Sequence, residues 1–527
     1  MALQKSQEQG KNETFGCPTT NIVERDDDLK DLESDLYDLV ENIEFRSVNN
    51  HYQKELKTKI DAIKTETKII VPADKTANFY KIEKEEYNNL VEKNVHKEYR
   101  KARKNEVTKG IKEHQKIVKN LSIDDRVFAT QKKNCFVSLK DHKPNFINNP
   151  SCRLINPCKP DIGKISKQSL SKIVSEVRRQ SGLTQWKNTD EVLDWFKNID
   201  DKKSYRFIQF DIVNFYPSIT ENLLKDAINW AREYTDISNE EENILIKSKM
   251  SLLHFKNDAW IKKSNPTFDI TMGSFDGAES CDICGLFLLS KLKHKLSNQV
   301  SAGLYRDDGL AISNLNPRDT ENAKKSICEV FKTYNLSITI EANLKSVNFL
   351  DVQLDLERDA YRPYIKPNDK PCYVHSLSNH PPGIIKNIPV SINKRLSKIS
   401  STKEAFDNAS RTYQEELDKK GYKYKLEYTP NVQNRSVRKN RGRNITYFNP
   451  PFSKNVKTNV GAKFPRIISK NFPPSHPLSK VINRNTIKIS YSRAFFSSRL
   501  PAGMHSFINI SCEKIYIFIR PHTIETL

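Results

Sequence analysis

Three aspartates carry the most chemistry in this chain. Asp211 stands at the end of the apolar run Tyr205 to Ile212, and Asp307 with Asp308 forms a tight turn further along, in Tyr305-Arg306-Asp307-Asp308-Gly309. Acidic residues at a hairpin tip, beside the end of a neighbouring strand, can converge to within metal-bridging distance. Carboxylates that close repel and raise one another's pKa unless a cation lies between them, so the clustering itself points to metal. Magnesium prefers carboxylate and phosphate oxygens and keeps several waters, so a few such side chains suffice. The matching chemistry is phosphoryl transfer, in which one divalent ion activates an attacking hydroxyl and another holds a triphosphate and its leaving group. The plainer alternative is an Asp-Asp surface turn. The flanks favour the site, because apolar half-strands, Gly303-Leu304 and Leu310-Ala311-Ile312, enclose the pair.

Positioning these residues requires strands that end at the acids and helices that back them. Tyr205 to Ile212 has strand character, and Ile219 to Glu233 follows as a helix. Gly273-Ser274-Phe275-Asp276-Gly277 is a small-residue turn that opens a long apolar helix through Leu292. Upstream, Phe136-Val137-Ser138-Leu139 and Cys152-Arg153-Leu154-Ile155 read as a hairpin, with the basic turn Lys140-Asp141-His142-Lys143-Pro144 after the first strand. Ile165 to Gln180 is helical. Earlier still, Asp26 to Lys68 and Glu83 to Lys119 have charged, helix-spaced patterns, and Lys68 to Pro72 is a short β-type run closed by Ala73-Asp74-Lys75-Thr76. Beyond Leu356 the texture changes: Arg362 to Pro389 is dense in Pro, His and Asn, Ser391 to Lys423 looks helical, and Asn431 to Arg443 is basic and exposed in character. The order of strands and helices predicts an α+β fold.

Composition bounds the partners. The 527 residues imply more than one structural unit, and no period of twenty to fifty residues repeats. Lys and Arg number 87 against 65 Asp and Glu, a net charge of +22, which suits a polyanion more than a neutral ligand. A basic surface with no ligand is the competing reading. The nine cysteines have no repeating spacing, and Cys281 with Cys284 lies in the apolar helix, so buried free thiols are expected there rather than zinc. No apolar run is long enough to cross a membrane, and the polar start lacks a secretory pattern, so an intracellular, nuclear protein is expected.

The blocks, in this order, resemble reverse transcriptases, and specifically those of Penelope-like retroelements. Asp211 to Ser218 follows the Asp-x-x-x-Phe-Tyr-Pro-Ser pattern, Met272 to Glu279 is similar to the helix-opening second block, and Tyr305 to Gly309 to the third. Lys345 with Phe349-Leu350-Asp351-Val352 resembles the fourth block and the primer grip. Leu139 to Lys143 and Arg153 to Pro157 resemble the fingers, while His380-Pro381-Pro382, Ile384 to Pro389 and Phe448 to Phe452 are similar to further segments of the group. The similarity runs from about Val71 to about Ser490.

That resemblance implies a right-hand polymerase of fingers, palm and thumb with a helical N-terminal extension. The expected ranges are a disordered leader (1–25), the extension (26–120), fingers and palm (121–360), a thumb-like and connection region (361–490), and a divergent or truncated tail (491–527). It implies an RNA-directed DNA polymerase that extends a DNA primer on an RNA template with deoxynucleoside triphosphates and magnesium, manganese being the alternative ion. Asp211, Asp307 and Asp308 would be the catalytic metal ligands, with the Ile212 carbonyl completing a shell. Tyr216 would exclude the ribose 2′-hydroxyl, the alternative being a core aromatic beside Phe215. Arg153 would clamp the triphosphate, since a guanidinium fork suits phosphate. Lys140 or Lys143 would share that load or be a solvated turn lysine. Gly277 would let backbone approach the nucleotide. Lys345 would protonate pyrophosphate or be solvated, and Phe349, Leu350 and Asp351 would grip the primer.

Two departures stand out. Many reverse transcriptases carry Pro-Gln-Gly where this chain has Phe275-Asp276-Gly277, and an ionised Asp cannot donate as Gln does. Arg493 to Leu527 contains no Gly-Ile-Tyr or Tyr-Ile-Gly, so the GIY-YIG nuclease that Penelope-like elements often carry is not expected in this chain. Two other readings stay open: an inactive nucleic-acid-binding remnant of a retroelement, and a domesticated telomere-type enzyme. The oligomeric state is not legible.

Overall fold

The larger structural unit is organised by alternating apolar residues that set one sheet against a layer of helices. In the computed structural model the described residues are 29–46, 51–65, 67–120, 133–143, 146, 149–158, 162–367, 369–430 and 445–493. The expected leader, the basic segment 431–443 and the expected tail beyond Arg493 lie outside them. The described residues divide into two units, one within 67–372 and 396–413 and the other within 29–65, 373–395 and 414–493. The division falls near 65 and 372.

In the larger unit, β1 (Lys68–Pro72) and β2 (Phe79–Glu83) form an antiparallel pair, and β3 (Tyr99–Lys101) follows the helix Lys84–Glu98. Next, β4 (Phe136–Leu139) and β5 (Cys152–Ile155) form the anticipated antiparallel hairpin. Then come β6 (Thr184–Gln185), β7 (Arg206–Ile212), β8 (Leu253–Phe255), β9 (Asp258–Lys262), β10 (Val300–Tyr305), β11 (Asp308–Ser313) and β12 (Ile338–Leu344). The last three strands, β13 (Ser346–Phe349), β14 (Val352–Asp355) and β15 (Ala360–Pro363), make a separate antiparallel sheet. The central sheet has the order β12-β7-β11-β10-β6, with β6 parallel to β10 and the other pairs antiparallel.

Side chains alternate across a strand, and β7 uses both faces. Ile208, Phe210 and Ile212 join Leu304 and Ala311 in a core with the helices Glu221–Ala231, Gly277–Lys295 and Pro317–Thr333. Each such side chain contributes about 1.5–3 kcal/mol by leaving water. The helix Gly277–Lys295 is buried almost all round, with Cys281 and Cys284 free and fully enclosed, which suits its uniformly apolar sequence. Phe207, Gln209 and Asp211 occupy the opposite face of β7, where Phe207 stacks on Phe196.

Two expected helices are interrupted. Glu83 to Lys119 splits into Lys84–Glu98 and Lys104–Asn120, because β3 leaves the helical path to pair with β9, burying Tyr99 and letting its hydroxyl bond Asp269 at 2.7 Å. The segment Ser391 to Lys423 becomes Pro382–Lys398 and Lys403–Lys419, the former running through Pro389. In the smaller unit the helix Lys30–Glu41 packs on Val460–Asn471 through Leu32, Phe464, Ile468 and Phe472, with Phe448 stacked on Phe464. Among the described residues no helix is long and apolar enough to cross a membrane.

Candidate active site

The antiparallel register brings the acids together. Asp308 of β11 faces Asp211 of β7, and directly opposed residues share a face with Cβ atoms about 4.5–5.5 Å apart. Asp307 occupies the turn between β10 and β11, and its carbonyl accepts from the Ile212 amide at 2.9 Å, tying the turn to the end of β7. Gly309 faces Phe210, and a Cβ there would lie 2.1 Å from the ring, so the residue after the two aspartates has no room for a side chain.

Electrostatics sets this group apart. Burial raises the Asp211 carboxyl and the charge of Asp307 adds to it, while Lys75, Lys143 and Lys366 pull the other way. Asp308 is pushed up to about 6, first by burial and then by Asp307 and, less, by Asp211. Their hard oxygen donors and mutual repulsion fit a divalent cation such as magnesium. Among the described residues no three Asp, Glu, His or Cys side chains already form a preformed metal cluster, so these carboxylates stand as neighbours rather than as a closed shell.

Beside the acids, Tyr216 lies in the one-turn helix Phe215–Ser218. That turn is held from behind by Lys262, whose ammonium donates to the Pro217 carbonyl at 2.6 Å and pairs with Asp269 at 3.2 Å. The Tyr216 ring lies against Gly277, where an added Cβ would come within 3.2 Å of it and 2.6 Å of Ser274 Oγ. Tyr216 is half-buried and packs against the core that encloses Phe215. Arg306 donates to the Tyr216 hydroxyl at 3.1 Å.

A second group is basic. Arg153 of β5 pairs with Asp74 at 3.2 Å, the Asp74 amide donates to the Leu139 carbonyl at 2.6 Å, and His142 Nδ1 bonds the Asp74 carbonyl at 3.2 Å. Asp141 turns inward and accepts from Thr76, Asn78 and Tyr80 at 2.7–2.9 Å; burial opposes its charge, but these three bonds outweigh it and hold its carboxyl low. Lys140 is depressed by burial and then by Arg153. Lys366 is depressed by burial and by Lys75, against the attraction of Asp308, Asp74 and Asp307. The Ala77 amide donates to Asp369 at 3.3 Å, which brings the Lys366 segment to the loop carrying Lys75. Sequence reasoning missed Asp74, Lys75 and Lys366. The closing Ala73-Asp74-Lys75-Thr76 after a short strand was a visible signal, but nothing local marks Lys366.

Lys345 is not brought to the acids. Its ammonium donates to the carbonyls of Lys203 and Tyr205 at 2.7 and 3.0 Å, at the start of β7. Asp211 is six residues further on, about 20 Å at roughly 3.3 Å per residue. The reason is strand direction: β12 runs antiparallel to β7, so the residue after it returns to the far end.

Phe349, Leu350 and Asp351 form the tip of the β13–β14 hairpin, with Leu350 at φ 55°. Phe349 is enclosed and meets Trp186 edge-on at 5.4 Å, and Trp186 in turn covers Gly303 of β10, fixing the hairpin to the sheet. Asp351 accepts from Thr189.

The departure at Asp276 has a physical account. Its carboxylate is buried and paired with buried Lys249, which also bonds Ser248 and Ser166 at 3.2 and 3.3 Å. The Asp276 carbonyl accepts from the amide and hydroxyl of Ser280 in the first turn of the helix. Asp276 therefore anchors the turn before Gly277 inside the fold.

No family model matches the chain, and no curated protein matches it. Among solved structures, it is similar to telomerase from Candida albicans in complex with a TWJ fragment of telomeric RNA (TM-score 0.46, 11% identity, 71% of this chain and 68% of that one). It is also similar to apo telomerase from Candida tropicalis truncated from its C-terminal domain (TM-score 0.39, 12% identity, 56% of this chain). The match spans 63% of that telomerase, less than two thirds of its length. A third is the RNA-dependent RNA polymerase of a human picobirnavirus (TM-score 0.40, 8% identity, 75% of this chain and 86% of that one).

Proposed function

We propose that this chain is an RNA-directed DNA polymerase of the Penelope-like retroelement type, which extends a DNA primer on an RNA template. The observation that carries the reading is the facing pair Asp211 and Asp308 with Asp307 in the adjoining turn, half-buried and with Lys75 and Lys366 near enough to act on Asp211 and Asp308. Magnesium, held by Asp211, Asp307, Asp308 and the Ile212 carbonyl, would supply activation of the primer hydroxyl and charge neutralisation of the triphosphate. The chain's own part is positioning and electrostatics. Arg153, held by Asp74, presents a fixed guanidinium to the triphosphate, and Lys140, Lys143, Lys75 and Lys366 add positive potential around it. Gly277 lets the Tyr216 ring and Ser274 pack closely at the start of the helix, and that ring bars a 2′-hydroxyl. Phe349 to Asp351, fixed through Trp186, orient the primer end. Lys345 is left out of this scheme.

The test is primer extension on an RNA template, with and without magnesium, comparing the parent with Asp307→Ala, Asp308→Ala. Loss of at least about a thousandfold in rate is expected, as electrostatic stabilisation of the transition state is the largest contribution. A parent no faster than the double variant would instead fit the inactive, nucleic-acid-binding remnant.

A further inference from the structure

Steric exclusion of a 2′-hydroxyl requires only the Tyr216 ring, yet the structure also engages its hydroxyl. Arg306 supplies the donor, from a position that is itself unusual: it lies in the two-residue turn between Tyr305 and Asp308 with φ 54°. Left-handed backbone at a long side chain is uncommon, so the surroundings must compensate for it. They do so in two ways. The guanidinium is charge-assisted toward the phenol, and Asp282, on the helix that Gly277 opens, attracts it although burial acts against its charge. That helix is tied to β6 as well, since Gln185 donates to the Asp282 carbonyl at 2.7 Å and accepts from Arg178 at 2.9 Å. Burial pushes the Tyr216 phenol up to about 12, so a neutral hydroxyl accepts the bond near neutral pH.

One side chain thereby connects three parts of the site: the turn that carries Asp307, the tyrosine, and the helix beginning at Gly277. A ring free at its tip could tilt away from an incoming ribose. A ring pinned at its hydroxyl and bounded by Gly277 on its edge has less freedom to do so. We propose that Arg306 is a positioning residue for sugar selectivity, acting through the Tyr216 hydroxyl to hold the ring against the 2′ position of the incoming nucleotide. The inference rests on the polymerase reading given above.

The experiment is single-nucleotide extension by the full chain with magnesium on a matched RNA–DNA primer-template. It measures kcat and KM for dCTP and CTP with the parent, Arg306→Met, Arg306→Lys, Tyr216→Phe and the double variant Tyr216→Phe, Arg306→Met. Arg306→Met should lower the deoxy-to-ribo ratio of kcat/KM about tenfold, the scale of one charge-assisted hydrogen bond, mainly through a lower KM for CTP. Arg306→Lys, which keeps a donor, should recover part of the ratio. Tyr216→Phe keeps the ring but removes the acceptor, so it should lower the ratio by a similar factor, and adding Arg306→Met to it should change the ratio less than about twofold. An unchanged ratio in both single variants overturns the proposal. An equal further fall on adding Arg306→Met to Tyr216→Phe also overturns it, since Arg306 would then act without the hydroxyl. Should Arg306→Met not fold, Tyr216→Phe and Arg306→Lys carry the same decision. A parent that shows no metal-dependent extension sinks the polymerase reading itself, and this inference with it; an active parent with an insensitive ratio sinks this inference alone.

Discussion

Two sets of aspartates in the larger unit have different surroundings, Asp276 being buried and Asp211, Asp307 and Asp308 half-buried. Asp276 is enclosed with Lys249, their side chains only 2% and 1% exposed, and two serines satisfy what remains. Asp211, Asp307 and Asp308 stand together where β7 meets the β10–β11 turn, and burial first, then the charge of Asp307, pushes Asp308 up to about 6 against the pull of Lys75 and Lys366. Burying a charge is costly unless it is paired. The first set resolves that cost internally and is a structural anchor. The second set offsets it only in part, through Lys75 and Lys366. Asp269 belongs with the first kind: it is held by Lys262 and Tyr99 behind the Tyr216 turn. The same residue type is therefore enclosed with a bonded lysine in one place and grouped with other carboxylates in the other.

The sharpest way to break this contrast is to strip the anchor. Lys249→Met should destabilise the fold by about 3–5 kcal/mol, because it strands a buried carboxylate, and Lys249→Met with Asp276→Leu should recover most of the loss. Denaturant unfolding measures both; a single variant as stable as the parent would remove the anchor assignment.

Neutralising one acid of the second set should do the reverse. With a folded value of about 6 against an ordinary 3.8, Asp308 binds more protons folded than unfolded between those limits, so its presence costs stability as pH rises through that window. Asp308→Asn should therefore be more stable than the parent at pH 7.5, by at most about 3 kcal/mol, and equal to it below about pH 4. Thermal unfolding across pH 4 to 7.5 in chelator checks this, and a gap that fails to open with pH would contradict it. The smallest effect is at the basic group: Arg153→Ala should raise the nucleotide KM about five- to tenfold with little change in kcat, the scale of a lost charge-assisted bond. An unchanged KM would leave Arg153 as no more than the partner of Asp74.

Much of the metal-facing half was legible from residue order alone. An apolar run ending in Asp211, a turn carrying Asp307 and Asp308, and Gly277 opening an apolar helix are local patterns, and the strands and helix stand close to where those patterns put them. What was not legible depends on pairing between distant segments. Lys249 looks like any polar lysine until the fold delivers it to Asp276, and Lys75 and Lys366 approach the acids from segments nearly three hundred residues apart. Lys345 shows the same lesson in reverse. Its place after β12 fits the order of the blocks, yet the antiparallel register carries it to the other end of β7. Tyr99 is a third case, a residue inside a helical pattern that leaves it because Asp269 offers a buried partner.

The central proposal, that the acids at the β7 end and the β10–β11 turn take divalent cations, is tested most directly by thermal unfolding of the full chain against magnesium concentration at pH 7.5. A saturable rise in Tm is expected for the parent, since a ligand that binds only the folded state stabilises it by mass action, and the rise should vanish in Asp307→Asn, Asp308→Asn. An equal rise in parent and variant, or none in either, would contradict the account.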